Sequence, residues 1–230
     1  MTENGIDNMV ARWEALHATP HFSPQYPTEI VIRWTFRNFA RDRADTYELL
    51  DVGAGAGRHT VFWARQGYRT QAVDASALAV AQTLQWGLQE NLAVAAQVAE
   101  ADALPFADGR FDGVLSFAVL YYLSYERLQC GIQEIWRVLK PGGRAFVMIK
   151  SDADSRARGA RKVAAHAYQV ATPENGESWT AEAGMVLTLL DRSAVEAAFA
   201  MFSEVLVDRS TATSGSGRFI DDDWLIQVRK

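Results

Sequence analysis

The sequence predicts an α/β fold in which a mostly parallel sheet carries helices on both faces. Three observations lead there. From residue 47 onward, short apolar runs alternate with stretches of helical period, the pattern that strand–helix–strand crossovers produce. The first apolar run passes directly into a glycine-rich turn that opens a helix. Near the C-terminus, two alternating segments flank Ser214-Gly215-Ser216-Gly217 and read as a hairpin.

The elements follow in order. Tyr47 to Val52 is the first strand, and Arg58 to Gln66 a helix stopped by Gly67, which has no side chain to oppose a left-handed cap. Thr70 to Val73 is the second strand. Ser76 caps a helix in which Val80, Leu84 and Leu88 predict one buried stripe. Val94 to Ala99 and Phe111 to Ser116 are the next strands. Ser124 caps a helix with Leu128, Ile132, Ile135 and Leu139 on one face, ended by Pro141 and Gly142. Arg144 to Ile149 is the fifth strand, and Ser193 with Glu196 predicts a capping box for a last helix through Phe199. Glu204 to Val207 and Trp224 to Val228 form the hairpin.

No linker divides the 230 residues, so a single domain spans 1–230. Within it, 1–46 reads as an N-terminal helical cover, 47–150 as the core, 151–189 as a variable cover and 190–230 as the last helix and hairpin. An apolar share of 49% without any run of about 18 apolar residues predicts a soluble chain that crosses no membrane. Glu3 and Asp7 near the start are wrong for a signal peptide, so a cytoplasmic address is expected. A formal charge of -5 argues against nucleic acid as partner. Cys130 has no second cysteine to pair with and reads as a small core residue on the helix after Ser124.

The sharpest chemical signal is Asp51-Val52-Gly53-Ala54-Gly55-Ala56-Gly57, a strand end running into a turn that lets a ligand approach the main chain. A dinucleotide fingerprint would need a glycine at position 58 or 60, which hold Arg58 and Thr60. Asp51 would repel a pyrophosphate but can pair with an ammonium group, so an amino acid moiety fits better. Asp74, at the end of the second strand, can accept hydrogen bonds from both hydroxyls of a ribose, in NAD and non-NAD sites alike. Asp102 follows the third strand, placed for an adenine amino group, with the Ala103 N–H facing a ring nitrogen.

These residues resemble class I S-adenosylmethionine (SAM)-dependent methyltransferases, in particular the broad bacterial, type 11-like group in which Asp-Val-Gly-x-Gly-x-Gly precedes Val-Asp-x-Ser. The resemblance covers residues 47 to 150 and extends to Leu104-Pro105-Phe106 before Phe111-Asp112, to Ser116 through Leu123, and to Lys140-Pro141-Gly142-Gly143. It implies a Rossmann-like seven-stranded sheet with an antiparallel last strand, SAM as cofactor and S-adenosylhomocysteine as product. Gly53, Ala54, Gly55 and Gly57 would line the methionine end, Asp74 would bind ribose, Asp102 and Ala103 adenine, Ala75 the adenine face, and Phe117 would sit beside the cofactor. The expected reaction is methylation of an oxygen or nitrogen atom of a small molecule. The alternatives are a SAM-binding protein without catalysis and, on the shared ribose geometry, a nicotinamide-dependent oxidoreductase.

Acceptor candidates lie outside the motifs. Tyr121 and Tyr122 follow the fourth strand, and His166 offers a base for a hydroxyl. Trp13, Tyr26 and Trp34 supply aromatic surface that either closes over an acceptor or packs on the sheet. Arg58 and His59 open the first core helix, within reach of a cofactor carboxylate or an acceptor. Arg156, Arg158, Arg161 and Lys162 would either greet an acidic acceptor or form a solvated helix face. His17 and His21 have a metal-like spacing that Pro20 breaks, so no metal is expected. Ser116-Phe117-Ala118-Val119 lacks the Pro-Pro-aromatic sequence of amino methyltransferases of DNA, which disfavours base methylation.

Overall fold

Seven strands form the main sheet, in the order β3-β2-β1-β4-β5-β10-β9. The computed structural model describes residues 24–172 and 180–230, together with Arg12, Glu14 and Ala15; Trp13, His17, Pro20, His21 and Gly176 lie outside the described residues. β1 (Glu48–Val52) runs parallel to β2 (Arg69–Asp74) on one side and β4 (Phe111–Phe117) on the other. β3 (Val94–Val98) extends the sheet beyond β2, and β5 (Leu139–Lys150) beyond β4. β10 (Phe219–Arg229) lies antiparallel between β5 and β9 (Glu204–Ser214). Strand order therefore reverses between β1 and β4, and a doubly wound sheet opens its crevice at the carboxyl ends of such a pair.

Burial follows from this order. β1, β4 and β5 sit inside the sheet with both faces covered, and Leu49, Leu50, Val114, Leu115, Ala145, Val147 and Ile149 are fully buried. The edge strand β3 is largely exposed. Among the described residues from 24 onward the α-helices are α1 (Glu29–Asn38), α2 (Arg58–Arg65), α3 (Ala77–Gln89), α4 (Tyr125–Val138) and α5 (Arg192–Ala198). Ser76 caps α3 by accepting the Ala79 N–H, and Ser124 caps α4 by accepting that of Arg127.

Several expectations need correction. The buried face of α3 is Ala79, Val80, Thr83 and Gly87, while Leu88 is 77% exposed; the small residues let α3 approach β3, where a Cβ on Gly87 would meet Val94 at 2.9 Å. α4 stops at Val138, so Leu139 is buried as the start of β5. Cys130 is exposed, because Leu128, Gly131, Ile132 and Ile135 take the inward face. α5 is capped by Asp191, which accepts the Ala194 N–H at 2.8 Å and the Ser193 hydroxyl at 2.7 Å, and Glu196 pairs with Arg192. The hairpin strands are 11 residues each, longer than their apolar ends suggested.

The variable segment builds a small antiparallel sheet of β6 (Arg161–Ala164), β7 (Ala167–Gln169) and β8 (Val186–Thr188). Arg161 and Lys162 lie on β6 and Arg156 in a 3-10 turn, so these basic residues share no helix face. Trp34 is 3% exposed and lies 5.4 Å from Phe39 and 5.8 Å from Phe146 of β5. It packs α1 onto the sheet and does not close over a site. Tyr26 is 81% exposed.

Candidate functional site

The turn after β1 runs through left-handed backbone at Gly53, Gly55 and Gly57, with φ of 71°, 56° and 91°. Glycine is required for a second reason at Gly53, where a Cβ would meet Val119 Cγ2 at 2.2 Å. The turn is held from within. Gly53 and Ala54 both donate their N–H to the Val73 carbonyl, at 2.8 and 3.0 Å, and Gly57 donates to Ala54 at 3.0 Å. The Gly55 N–H goes to Asp74 Oδ2 at 2.8 Å. Four loop amides are thus spent inside the protein, three on β2 and one on the loop itself, unlike a cradle for a pyrophosphate, which turns its amides toward the ligand.

Asp74 closes β2 with a carboxylate braced twice, since Oδ1 also accepts the Ser76 N–H at 2.9 Å. Each oxygen keeps a lone pair, which leaves room for two hydroxyl donors. Asp51 lies buried under the loop and accepts the Thr60 hydroxyl at 2.7 Å. Burial raises its pKa to about 6, against the opposing pull of Thr60 and Arg58. His59, the residue after Arg58, is also buried, and burial lowers its pKa to about 3. Its Nε2 accepts the Thr28 N–H at 3.3 Å, which ties the start of α1 to the start of α2.

Phe117, at the end of β4, has the His59 ring 5.4 Å away and the Arg58 guanidinium 5.7 Å from its centroid. Ala118 follows with φ of 65°, a conformation costly for a residue with a Cβ and one that gathers at functional sites. Gly53 and Val119 therefore meet just past the end of β4.

The structure treats Asp102 and Ala103 differently. Asp102 is gripped by Arg127 of α4 through two bonds, of 2.5 and 2.6 Å, and the Ala103 N–H closes a turn on the Glu100 carbonyl at 3.2 Å. Glu100, by contrast, is partly exposed with one 3.3 Å contact to Arg127, and among the described residues the Ala101 N–H has no partner. The spacing before Leu104-Pro105-Phe106 could have pointed to these two, but the sequence reading fixed on the aspartate. Thr60, which holds Asp51, was also missed. A hydroxyl inside a helix gives no signal of its own.

Past β4, Tyr121 and Tyr122 form a short 3-10 turn with Leu120. The Tyr121 hydroxyl donates to that of Tyr122, which donates to Glu182, each at 3.0 Å. Burial pushes both phenols above their ordinary range. Glu182 in turn pairs with Arg156, and Arg156 with Asp154 and Asp221. Lys150 closes the cluster on Asp154, Asp221 and Asp223. Two cations therefore meet four carboxylates at the carboxyl end of β5, and Arg156 is no part of a basic patch. His166 lies in the β6–β7 turn, its ring 4.8 Å from Tyr125. Among the described residues no group of three or more His, Cys, Asp or Glu side chains could hold a metal, and no helix is long and apolar enough to cross a membrane.

Residues 50–147 match the model of a family described as a methyltransferase domain. An uncharacterised methyltransferase of Bacillus subtilis is 37% identical over 95 residues, 41% of this chain and 40% of that protein. The chain spans two fifths of that relative's length. Among solved structures, a SAM-dependent methyltransferase of Methanosarcina mazei is 17% identical with a TM-score of 0.68, covering 89% of this chain and 98% of that one. A Burkholderia thailandensis 1,6-didemethyltoxoflavin N1-methyltransferase, solved with 1,6-didemethyltoxoflavin and S-adenosylhomocysteine bound, is 17% identical with a TM-score of 0.60. It covers 100% of this chain and 91% of that one. Residues 50–147 are thus similar to a methyltransferase domain, set in a seven-stranded fold shared with these solved structures.

Proposed function

We propose that this chain is a SAM-dependent methyltransferase acting on an oxygen or nitrogen atom of a small molecule. The observation that carries this is the inward commitment of the Gly53, Ala54, Gly55 and Gly57 amides above the buried carboxylate of Asp51. Such a loop suits the amino acid end of SAM and offers little to a pyrophosphate.

The donor set fits the rest of the cofactor. Asp74 receives the ribose hydroxyls on its spare lone pairs, with Ala75 beside it. At the adenine end, Glu100 takes the exocyclic amino group and the Ala101 N–H a ring nitrogen. This moves the adenine contact two residues upstream of Asp102 and Ala103, whose polar groups already have partners. Bound SAM supplies an electrophilic methyl group on a sulfonium. The chain's part is to hold donor and acceptor in line and keep water out, work that positioning alone can accomplish. Phe117 and Val119 wall the donor side, and Tyr121 and Tyr122 face the acceptor side.

The acceptor end supports an uncharged or cationic small molecule over an acidic one, because its carboxylates outnumber its cations. The test is turnover: S-adenosylhomocysteine release measured against a panel of amine, phenol and carboxylate acceptors. Release with an amine or phenol supports the reading. A protein that binds SAM and transfers no methyl group to any of them favours a noncatalytic SAM binder.

A further inference from the structure

We propose that Arg58 holds the α-carboxylate of the cofactor, so that Asp51 and Arg58 together read both charges of its amino acid end. The proposal rests on the reading of SAM as cofactor. It begins from an unusual cation. Arg58 is partly buried, yet among the described residues it makes no hydrogen bond and no ion pair. Its contact is the Phe117 ring, at the crevice mouth.

Three further observations point the same way. Arg58 is the first residue of α2, where the helix dipole presents its positive end and disfavours a cation, and no acidic residue in the first turn relieves it. The next residue, His59, is kept neutral by burial, so Arg58 is the charge that remains there. Asp51 is close enough for the two charges to influence each other, but no ion pair joins them. Opposite charges held near each other and left apart suit a ligand that is itself a zwitterion.

The loop supplies the final reason. With the amides of Gly53, Ala54, Gly55 and Gly57 spent on internal bonds, those four cannot serve a carboxylate, and a side-chain cation can take that part. A guanidinium is suited to the task, since its planar fork can donate two parallel bonds to both carboxylate oxygens.

The experiment compares two probes on the whole chain by calorimetry: S-adenosylhomocysteine, and its decarboxylated analogue, which keeps the adenosine, thioether and ammonium. Wild type is expected to bind the first about 10- to 100-fold more tightly, the scale of hydrogen bonds to a charged group. Arg58→Met, which keeps the aliphatic stem over Phe117, should remove that preference by weakening S-adenosylhomocysteine alone. Arg58→Lys should restore part of it, as a point charge without the fork. Equal weakening of both probes in a folded Arg58→Met protein assigns Arg58 to packing and overturns the proposal, as does an unchanged preference. Wild type that binds neither probe overturns the cofactor reading and this assignment with it, an outcome distinct from the other two.

Discussion

The Gly55 N–H donates to Asp74 Oδ2 across 2.8 Å, so the residue expected to hold ribose also fixes the turn proposed to receive the methionine end. Asp74→Ala should therefore do two kinds of damage. It removes the ribose acceptor and frees the Gly55 and Ser76 amides, and the expected loss of S-adenosylhomocysteine affinity is about 1.5 to 3 kcal/mol. Asp74→Asn keeps one oxygen and should lose roughly half as much. Equal affinity in all three proteins would confine Asp74 to bracing.

Asp51 links cofactor binding to pH. Its folded pKa of about 6 lies above the ordinary 3.8, so its contribution to stability is full below pH 3.8 and is lost as pH rises through 6. Asp51→Asn should accordingly stabilise the free protein at pH 7.5, by about 2 to 3 kcal/mol, with the gain vanishing near pH 4. S-adenosylhomocysteine affinity in wild type should fall as pH drops below 6, where the carboxylate is lost. Urea unfolding and calorimetry between pH 4.5 and 8 check both signs. A destabilised Asp51→Asn at pH 7.5 contradicts the burial argument.

His59 runs the other way. With a folded pKa near 3 against 6.5, it contributes stability above pH 6.5 that is lost as pH falls toward 3. His59→Gln, which can still accept the Thr28 N–H, should flatten the decline of stability as pH falls from 7.5 to 6.5, where Asp51 is still mostly charged. An unchanged slope there would mean that His59 is protonated in the fold.

These titrations show where the sequence was legible and where it was not. Glycines, strand-end acids and the Ser76 and Ser124 caps act locally, through the conformation of their own few residues, and their spacing carried the core strands and the loop. Leu88 and Arg156 failed, and Trp34 stayed between two readings, for a common reason: their surroundings are set by segments distant in sequence. Leu88 points away from the sheet that Gly87 approaches, Trp34 meets Phe146 from β5, and Arg156 meets Glu182 and Asp221. Asp102 is likewise held by Arg127 on α4, a partner that no local pattern around Asp102 reveals.

Trp34→Ala follows from that correction. Removing a side chain buried against Phe39 and Phe146 should cost about 3 to 5 kcal/mol of stability, read from urea unfolding. Cofactor and acceptor affinity, measured where the variant is still folded, should be changed alike or not at all. A selective loss of acceptor binding at full stability would return Trp34 to a covering role.

The Lys150 cluster welds the variable segment to β5 and β10. Lys150→Met leaves Asp223 buried without its cation and Asp154 with Arg156 alone, and breaking such a buried pair is expected to cost about 3 to 5 kcal/mol. Amide exchange should quicken in β6 to β8 before it does in β1. Uniform exchange across both sheets would deny that the cluster is what holds the segment.

The central claim is that the loop after β1 receives an adenosyl amino acid and not a dinucleotide. Isothermal titration of the whole chain with S-adenosylhomocysteine and with NAD tests it most directly. Saturable S-adenosylhomocysteine binding, with a roughly micromolar dissociation constant and no heat from NAD, is the expected result. Saturable NAD binding with no response to S-adenosylhomocysteine would contradict the account.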